Sequence, residues 1–377
     1  MTPRVPARPP RDQRLDIVRG WLQLTIFASH AYGSFIGGWM IHGSWGLSDS
    51  SEQFVFLSGF TLGSVCARKA VASGWRAGAA DILWRTWRLY RIHLMVVALY
   101  GAMVVAAGAT FLPGEPERLG WGFALTDPVQ ALPGFLSMLY QPELMGILPV
   151  FVWCMLLLPG FVALLSSWAE LALVPSVLIY AAVWIFGLHA PSLAPDLGIA
   201  FNPFAWQLIF LTGAWLWRRA LLLGRALPYD APWARWVTAA AVLIVFSGLA
   251  LRLAWYGFLP VHAPVAETRW IVGKEDLALP RLLHAWALAW LVARFVPPDA
   301  GWMHGPVLSG MALIGRYSLE VFCLGLFLSW GATTALHLFP GRALLDPVVI
   351  VAGSLVLAAF ARWLDRRRNM RRVVVAA

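Results

Sequence analysis

Charge is scarce in this chain. Only 13% of its residues are Asp, Glu, Lys or Arg, where a soluble domain carries nearer a quarter. The 60% hydrophobic share, with 22 Trp and 21 Phe, is spread along the whole length. Long apolar stretches recur from end to end, so the sequence predicts an all-α, polytopic membrane protein. Cysteine is also sparse. Cys66, Cys154 and Cys323 all fall in apolar stretches and form no CxxC pair, which excludes a disulfide framework and a cysteine metal site. No metal is expected. No stretch reads as a soluble domain, and no internal repeat is evident. The formal charge of +10 comes almost wholly from arginine. Those arginines cluster at the ends of apolar stretches, which fits membrane topology and not nucleic acid binding.

About ten spans are predicted, at 15–36, 50–68, 92–112, 144–166, 170–188, 204–224, 236–257, 280–296, 306–330 and 346–364. Residues 1–14, rich in Pro and Arg, read as a disordered cytoplasmic N-terminus. The first apolar stretch lacks a small-residue cleavage site and reads as a retained span. Residues 15–366 read as one membrane domain, and 367–377 as a basic cytoplasmic tail. Between 113 and 143 the chain is rich in Pro and Gly, with room for a short interfacial helix near 128–140. Arg68, Lys69, Arg76, Arg85, Arg88, Arg91, Arg218, Arg219, Arg225, Arg235 and Arg294 fall on one side of this topology. Acidic residues dominate the other. With the Arg-rich tail on the basic side, both termini are expected in the cytoplasm.

Ionisable groups inside apolar spans are costly and therefore informative. The first two spans concentrate them. Asp16, Arg19, Gln23 and His30 lie within roughly 60° of one another on a helix, with Arg19 and His30 roughly 16 Å apart along the axis. Such a stripe should face protein or water. His30 is the leading candidate for proton transfer, because an imidazole beside a carboxylate can take a hydroxyl proton and return it. Asp49 and Glu52, three apart at the start of the second span, are placed to orient it. The structural alternatives are equally concrete. His30 can bond a neighbouring carbonyl, Asp16 and Arg19 can neutralise each other, and Asp49 and Glu52 can serve the helix N-terminus. Gly59 and Gly63 form a small-xxx-small pair for close packing. Further candidates for a polar cavity are His42, Trp45, Ser58, Gln207, Arg281 and His284. Arg316 is another, although pairing with Glu320 is its structural alternative.

These residues resemble the OpgC family. The resemblance is carried by Leu15-Asp16-Ile17-Val18-Arg19-Gly20, His30, and the run from Gly46 to Phe60, which includes Ser48-Asp49-Ser50-Ser51-Glu52-Gln53. Weaker matches follow in order at Tyr90–His93, Phe204–Gln207, Pro280–His284 and Ile314–Leu319. That family comprises bacterial inner-membrane proteins linked to succinylation of osmoregulated periplasmic glucans. The spacing of Arg19 and His30 is also similar to the arginine-histidine motif of the wider membrane acyltransferase superfamily. The resemblance implies acyl transfer from acyl-CoA, succinyl-CoA included, to a glycan hydroxyl, with His30 as acid/base and no bound cofactor. The lipid bilayer is the other implied partner. Two places depart from the family pattern. Gln53 stands where an apolar residue is expected, and Ile41-His42-Gly43-Ser44-Trp45 introduces His42 as a rival base. The stretch around His42 is similar to heparan acetyltransferase. A transporter or flippase for a polar or anionic solute is the alternative reading, and a non-catalytic scaffold is a third.

Overall fold

The computed structural model describes residues 12–223, 227–260, 269–298 and 300–376, without the side chains of 169–170, 218–223 and 371–376. Arg218, Arg219 and Arg225, assigned above to cytoplasmic loops, lie outside the described side chains. All regular structure among the described residues is helical. The first helices are α1 (Gln13–Ser29), α2 (Phe35–Trp39), α3 (Ser50–Ser73) and α4 (Trp75–Thr110). Three short helices follow, α5 (Glu115–Arg118), α6 (Gly122–Thr126) and α7 (Pro128–Ser137). Then come α8 (Ile147–Trp168), α9 (Val174–Phe186), α10 (Pro203–Leu223), α11 (Ala234–Trp255) and the short α12 (Arg269–Val272). The last are α13 (Leu279–Phe295), α14 (Pro306–Arg316), α15 (Ser318–Leu338) and α16 (Leu345–Ala376).

Six helices among the described residues are long and apolar enough to cross a membrane: α3, α4, α8, α11, α15 and α16. These six are fewer than the predicted count of about ten. The differences have local causes. The first predicted span, 15–36, ends as a helix at Ser29. Gly33 adopts φ +86°, and the Ser34 hydroxyl accepts the Gly37 N–H to start α2. The predicted span 306–330 is two helices that meet at Tyr317, whose φ of −111° and ψ of 31° close α14. The Tyr317 hydroxyl donates to Asp365 at 2.9 Å. Gln13 and Arg14 already belong to α1, capped by the Asp12 carboxylate, and Arg366 to Met370 belong to α16. The interfacial helix expected near 128–140 is α7. Large apolar side chains such as Leu243, Phe246, Val348 and Leu355 are exposed on α11 and α16. Lipid explains such faces on helices of this length.

The chain divides into two compact units. The division falls within α3 after Phe54 and within α13 after Leu282. In the first unit, α8 and α10 pack around a core of Trp206, Phe210, Ile209, Tyr100 and Leu158, all with essentially no exposed surface. Trp206 Nε1 donates to the Lys274 and Glu275 carbonyls at 3.0 Å each. Helix α4 carries Arg91 over the rings of Trp84 and Trp87 at 5.7 and 5.8 Å. Here α3 and α10 cross with their backbones touching. A Cβ on Gly59 would overlap the Phe210 carbonyl, and one on Gly213 would overlap the Phe56 carbonyl. Gly63 meets Ala214 one turn on, as the small-xxx-small pair predicts.

The second unit has an analogous crossing. A Cβ on Gly20 of α1 would overlap the Met311 carbonyl of α14, and one on Gly315 would overlap the Asp16 carbonyl. Around it Phe27, Ala28, Ile314, Val321, Ala332, Leu357 and Ala361 form the core. Ser329 donates to the Phe27 carbonyl at 3.1 Å, tying α15 to α1. Asp346 at the start of α16 accepts the Ser34 hydroxyl and the Ile36 N–H.

Gly20→Ala and Gly315→Ala should each destabilise the purified protein by about 1–3 kcal/mol, because backbone is not free to retreat. Gly310, on α14 with open space around its Cα, is the internal control. Gly310→Ala should be neutral or stabilise by about 0.5–1 kcal/mol through helix propensity. Unfolding midpoints in one detergent compare the three variants directly.

Candidate active site

The site grows from the turn that joins α1 to α3 in the second unit. Asp49 precedes the first residue of α3. Its carboxylate accepts the Ser51 N–H at 2.8 Å, and its own N–H donates to Glu52 Oε2 at 2.9 Å. This is a reciprocal capping box, so the two carboxylates serve the helix N-terminus as one of the sequence readings holds. Glu52 is fully buried, and Asp49 is half-buried. The Ser50 hydroxyl is 2.7 Å from that of Thr25, which ties α1 to the start of α3. Thr25 lies on the side of α1 away from the polar stripe, roughly 120–180° around the axis.

The polar stripe runs along α1 and ends at His30, just past its last residue. Asp16 is buried, and its Oδ2 lies 3.8 Å from Arg316 Nε of α14. Arg19 is half-buried on α1. Gln23 is buried, and its Nε2 has no hydrogen-bond partner among the described residues. His30 follows the last residue of α1. Its N–H donates to Ile26, its carbonyl accepts Thr333 Oγ1 at 3.1 Å, and its ring meets the edge of Tyr32.

His42 opens a short 3₁₀ turn, His42–Ser44. The turn is held from several directions. Tyr256 donates to the Ser44 carbonyl at 2.9 Å, Arg252 donates to the Gly46 carbonyl at 2.9 Å, and Trp45 Nε1 donates to the Trp39 carbonyl at 2.5 Å. Trp39, Trp45 and Tyr256 form a ring cluster against it. Burial holds the His42 pKa below its ordinary value, against the Asp49 carboxylate, the Gln53 side chain and the Asp49 backbone, which favour the charged form. His42 is therefore neutral at neutral pH.

His284 of α13 is drawn into the same turn. Its Nδ1 lies 2.7 Å from the Ser48 hydroxyl and accepts the Ser48 N–H at 3.3 Å. Gln53 Nε2 donates to the Ser48 hydroxyl at 2.9 Å. Two glycines make room for the imidazole. A Cβ on Gly46 would stand 2.6 Å from its Cε1, and one on Gly248 would stand 3.1 Å from its Cδ2. Ser48 is fully buried and His284 nearly so.

The structure thus gathers His42, Asp49, Glu52, Gln53, Ser48 and His284 around one turn. Ser48 and Gln53 were not among the residues singled out for chemistry, although Gln53 had stood out as a departure. The remaining candidates lie in the first unit. The Gln207 amide is engaged by Ser176 and Phe204, with Ser176 Oγ 2.6 Å from its Oε1, so it braces α9 against α10. Arg281 is buried, with its Nη1 3.5 Å from the Val272 carbonyl. Ser58 is half-buried on α3.

The fold and this buried polar turn define a helical membrane protein whose unusual side chains gather at the start of one span. The family model for OpgC protein matches residues 11–369, nearly the whole chain. The chain belongs to the OpgC family, and that membership points to membrane acyltransferase activity. No curated protein and no solved structure matches it.

Glu52→Ala should remove half of the capping box and cost about 1 kcal/mol or more of stability. Glu52→Gln keeps an oxygen for the Asp49 N–H and should lie nearer the parent. Denaturation of the two variants side by side measures the difference.

Proposed function

We propose that this protein is an inner-membrane O-acyltransferase. It moves an acyl group, with succinyl the first to test, from acyl-CoA to a hydroxyl of a periplasmic glucan or related envelope glycan. A histidine takes the proton of the hydroxyl as its oxygen attacks the thioester carbonyl. The carbon–sulfur bond breaks, and the CoA thiolate recovers the proton from the imidazolium. Family membership across residues 11–369 carries this reading. The sequence expectation gives the proton to His30, with Glu52 or Asp49 orienting it and Arg19 toward the CoA side. A second assignment, His42, is favoured by one observation: the Asp49 carboxylate lies beside it and favours its charged form.

Labelled acyl-CoA, an oligosaccharide acceptor and purified protein test the reaction. His30→Ala or His42→Ala should lower acyl incorporation by about 10²–10⁴-fold, whichever carries the base. Loss in His30→Ala alone assigns His30, and loss in His42→Ala alone assigns His42. Normal turnover in both removes the acid/base mechanism and moves the transporter reading ahead.

Both termini are placed in the cytoplasm by the arginine bias of alternate loops. A reporter fused after Ala377 should read cytoplasmic and one near Gly273 periplasmic. A periplasmic signal from the first would overturn the topology.

A further inference from the structure

Helix α4 buries a histidine that no described residue satisfies. His93 is 1% exposed, and neither its Nδ1 nor its Nε2 has a hydrogen-bond partner among the described residues. It lies on the buried stripe of α4 with Leu89, Val96, Val97 and Tyr100, in a helix that packs on α8. A neutral imidazole has one N–H and one lone pair, and a charged one costs more in an apolar span. Packing alone would be served better by leucine, because a buried polar group without a partner is destabilising. The ring therefore suits a ligand that both donates and accepts. A carboxylate, phosphate or ester only accepts, and an ammonium only donates. An amide or a hydroxyl does both.

Depth narrows the choice. Arg91, two residues earlier, lies over Trp84 and Trp87, side chains suited to the headgroup layer. His93 is roughly 200° around the helix from Arg91 and roughly 3 Å along the axis. Arg91 belongs to the basic, cytoplasmic side of the topology, so His93 is approached from that side. A glycan hydroxyl comes from the other side. An acyl-CoA comes from this one, with charged phosphates at one end and amides along the pantetheine arm that leads to the thioester. We propose that His93 binds the acyl donor through the amides of its pantetheine arm, the ring N–H donating to an amide oxygen and the ring lone pair accepting an amide N–H. This rests on the acyl-CoA reading above. The phosphates stay in the headgroup layer while the uncharged arm enters the apolar layer, where charge is costly. His93 thus lowers the stability of the free protein and raises its affinity for the donor.

The test uses the full-length protein in one detergent, with CoA, pantetheine and adenosine bisphosphate as probes. His93→Leu keeps the bulk and removes both nitrogens. Its unfolding midpoint without ligand should equal or exceed the parent's. Its Kd for CoA and for pantetheine should rise about 10-fold or more, while its Kd for adenosine bisphosphate stays within about two-fold. KM for the acyl donor should rise with it, and KM for the oligosaccharide acceptor should hold. His93→Gln restores a donor and an acceptor and should bring CoA affinity to within about three-fold of the parent. In the parent labelled with ¹⁵N at histidine, pantetheine should shift the ring signals that His93→Gln removes. Unchanged CoA affinity in His93→Leu overturns the proposal: with a raised midpoint, water is the partner of the ring, and with a lowered one the ring is structural. An equal loss of adenosine bisphosphate affinity, or ring signals that pantetheine leaves in place, overturns it as well. A parent that binds no CoA and transfers no acyl group sinks the transferase reading too. A parent that does both while His93→Leu matches it sinks only the role of His93.

Discussion

Contact between helix backbones is the constraint on which the rest of this structure depends. Apolar side chains gain little by leaving lipid for protein, so helices in a membrane hold together by close packing and polar contacts. Each compact unit contains one crossing in which glycines on both helices let backbone meet backbone. Gly20 and Gly315 do this for α1 and α14, and Gly59 and Gly213 do it for α3 and α10. The first crossing fixes α1, and the Thr25–Ser50 bond passes that placement to the start of α3. The turn that carries His42 follows α1 and leads into α3, and Arg252 and Tyr256 help to hold it.

Around that turn several polar groups bond helix ends and one another. Asp49 and Glu52 close the N-terminus of α3, where a carboxylate gains from exposed N–H groups and the helix dipole. Arg252 and Tyr256 reach from the end of α11 to backbone carbonyls of the turn. Such bonds hold a loop still in a setting where an orphaned polar group is expensive. Stillness is useful to acyl transfer, in which hydroxyl, thioester and base must meet in one geometry.

Much of this was legible in the chain. The all-helical membrane class followed from scarce charge and long apolar stretches. The close packing of Gly59 and Gly63 followed from their spacing, and the capping role of Asp49 and Glu52 was one of two readings open at those positions. The pairing of Ser48 with His284 could not be read, because 236 residues separate them and no local pattern joins them. The Gln207 amide looked like a cavity group and instead binds Ser176. Arg316 invited pairing with Glu320 four residues on, and the fold brings it to Asp16 across a helix crossing. The break at Tyr317 was hidden because hydropathy continues straight through it. His42 and Gln53 were the two departures from the family pattern, and the fold makes them neighbours.

Helix α4 has 36 residues and so runs about 54 Å at 1.5 Å per residue, against about 30 Å of hydrocarbon. Its depth in the bilayer is marked by Arg91 stacked over Trp84 and Trp87, side chains suited to the headgroup layer. That cluster makes α4 a plumb line. A shift of one turn along its axis would carry a guanidinium about 5.4 Å toward hydrocarbon or pull two indoles into water. A thinner or thicker membrane would therefore tilt this helix before it slid it, and whatever packs on α4 would lean with it.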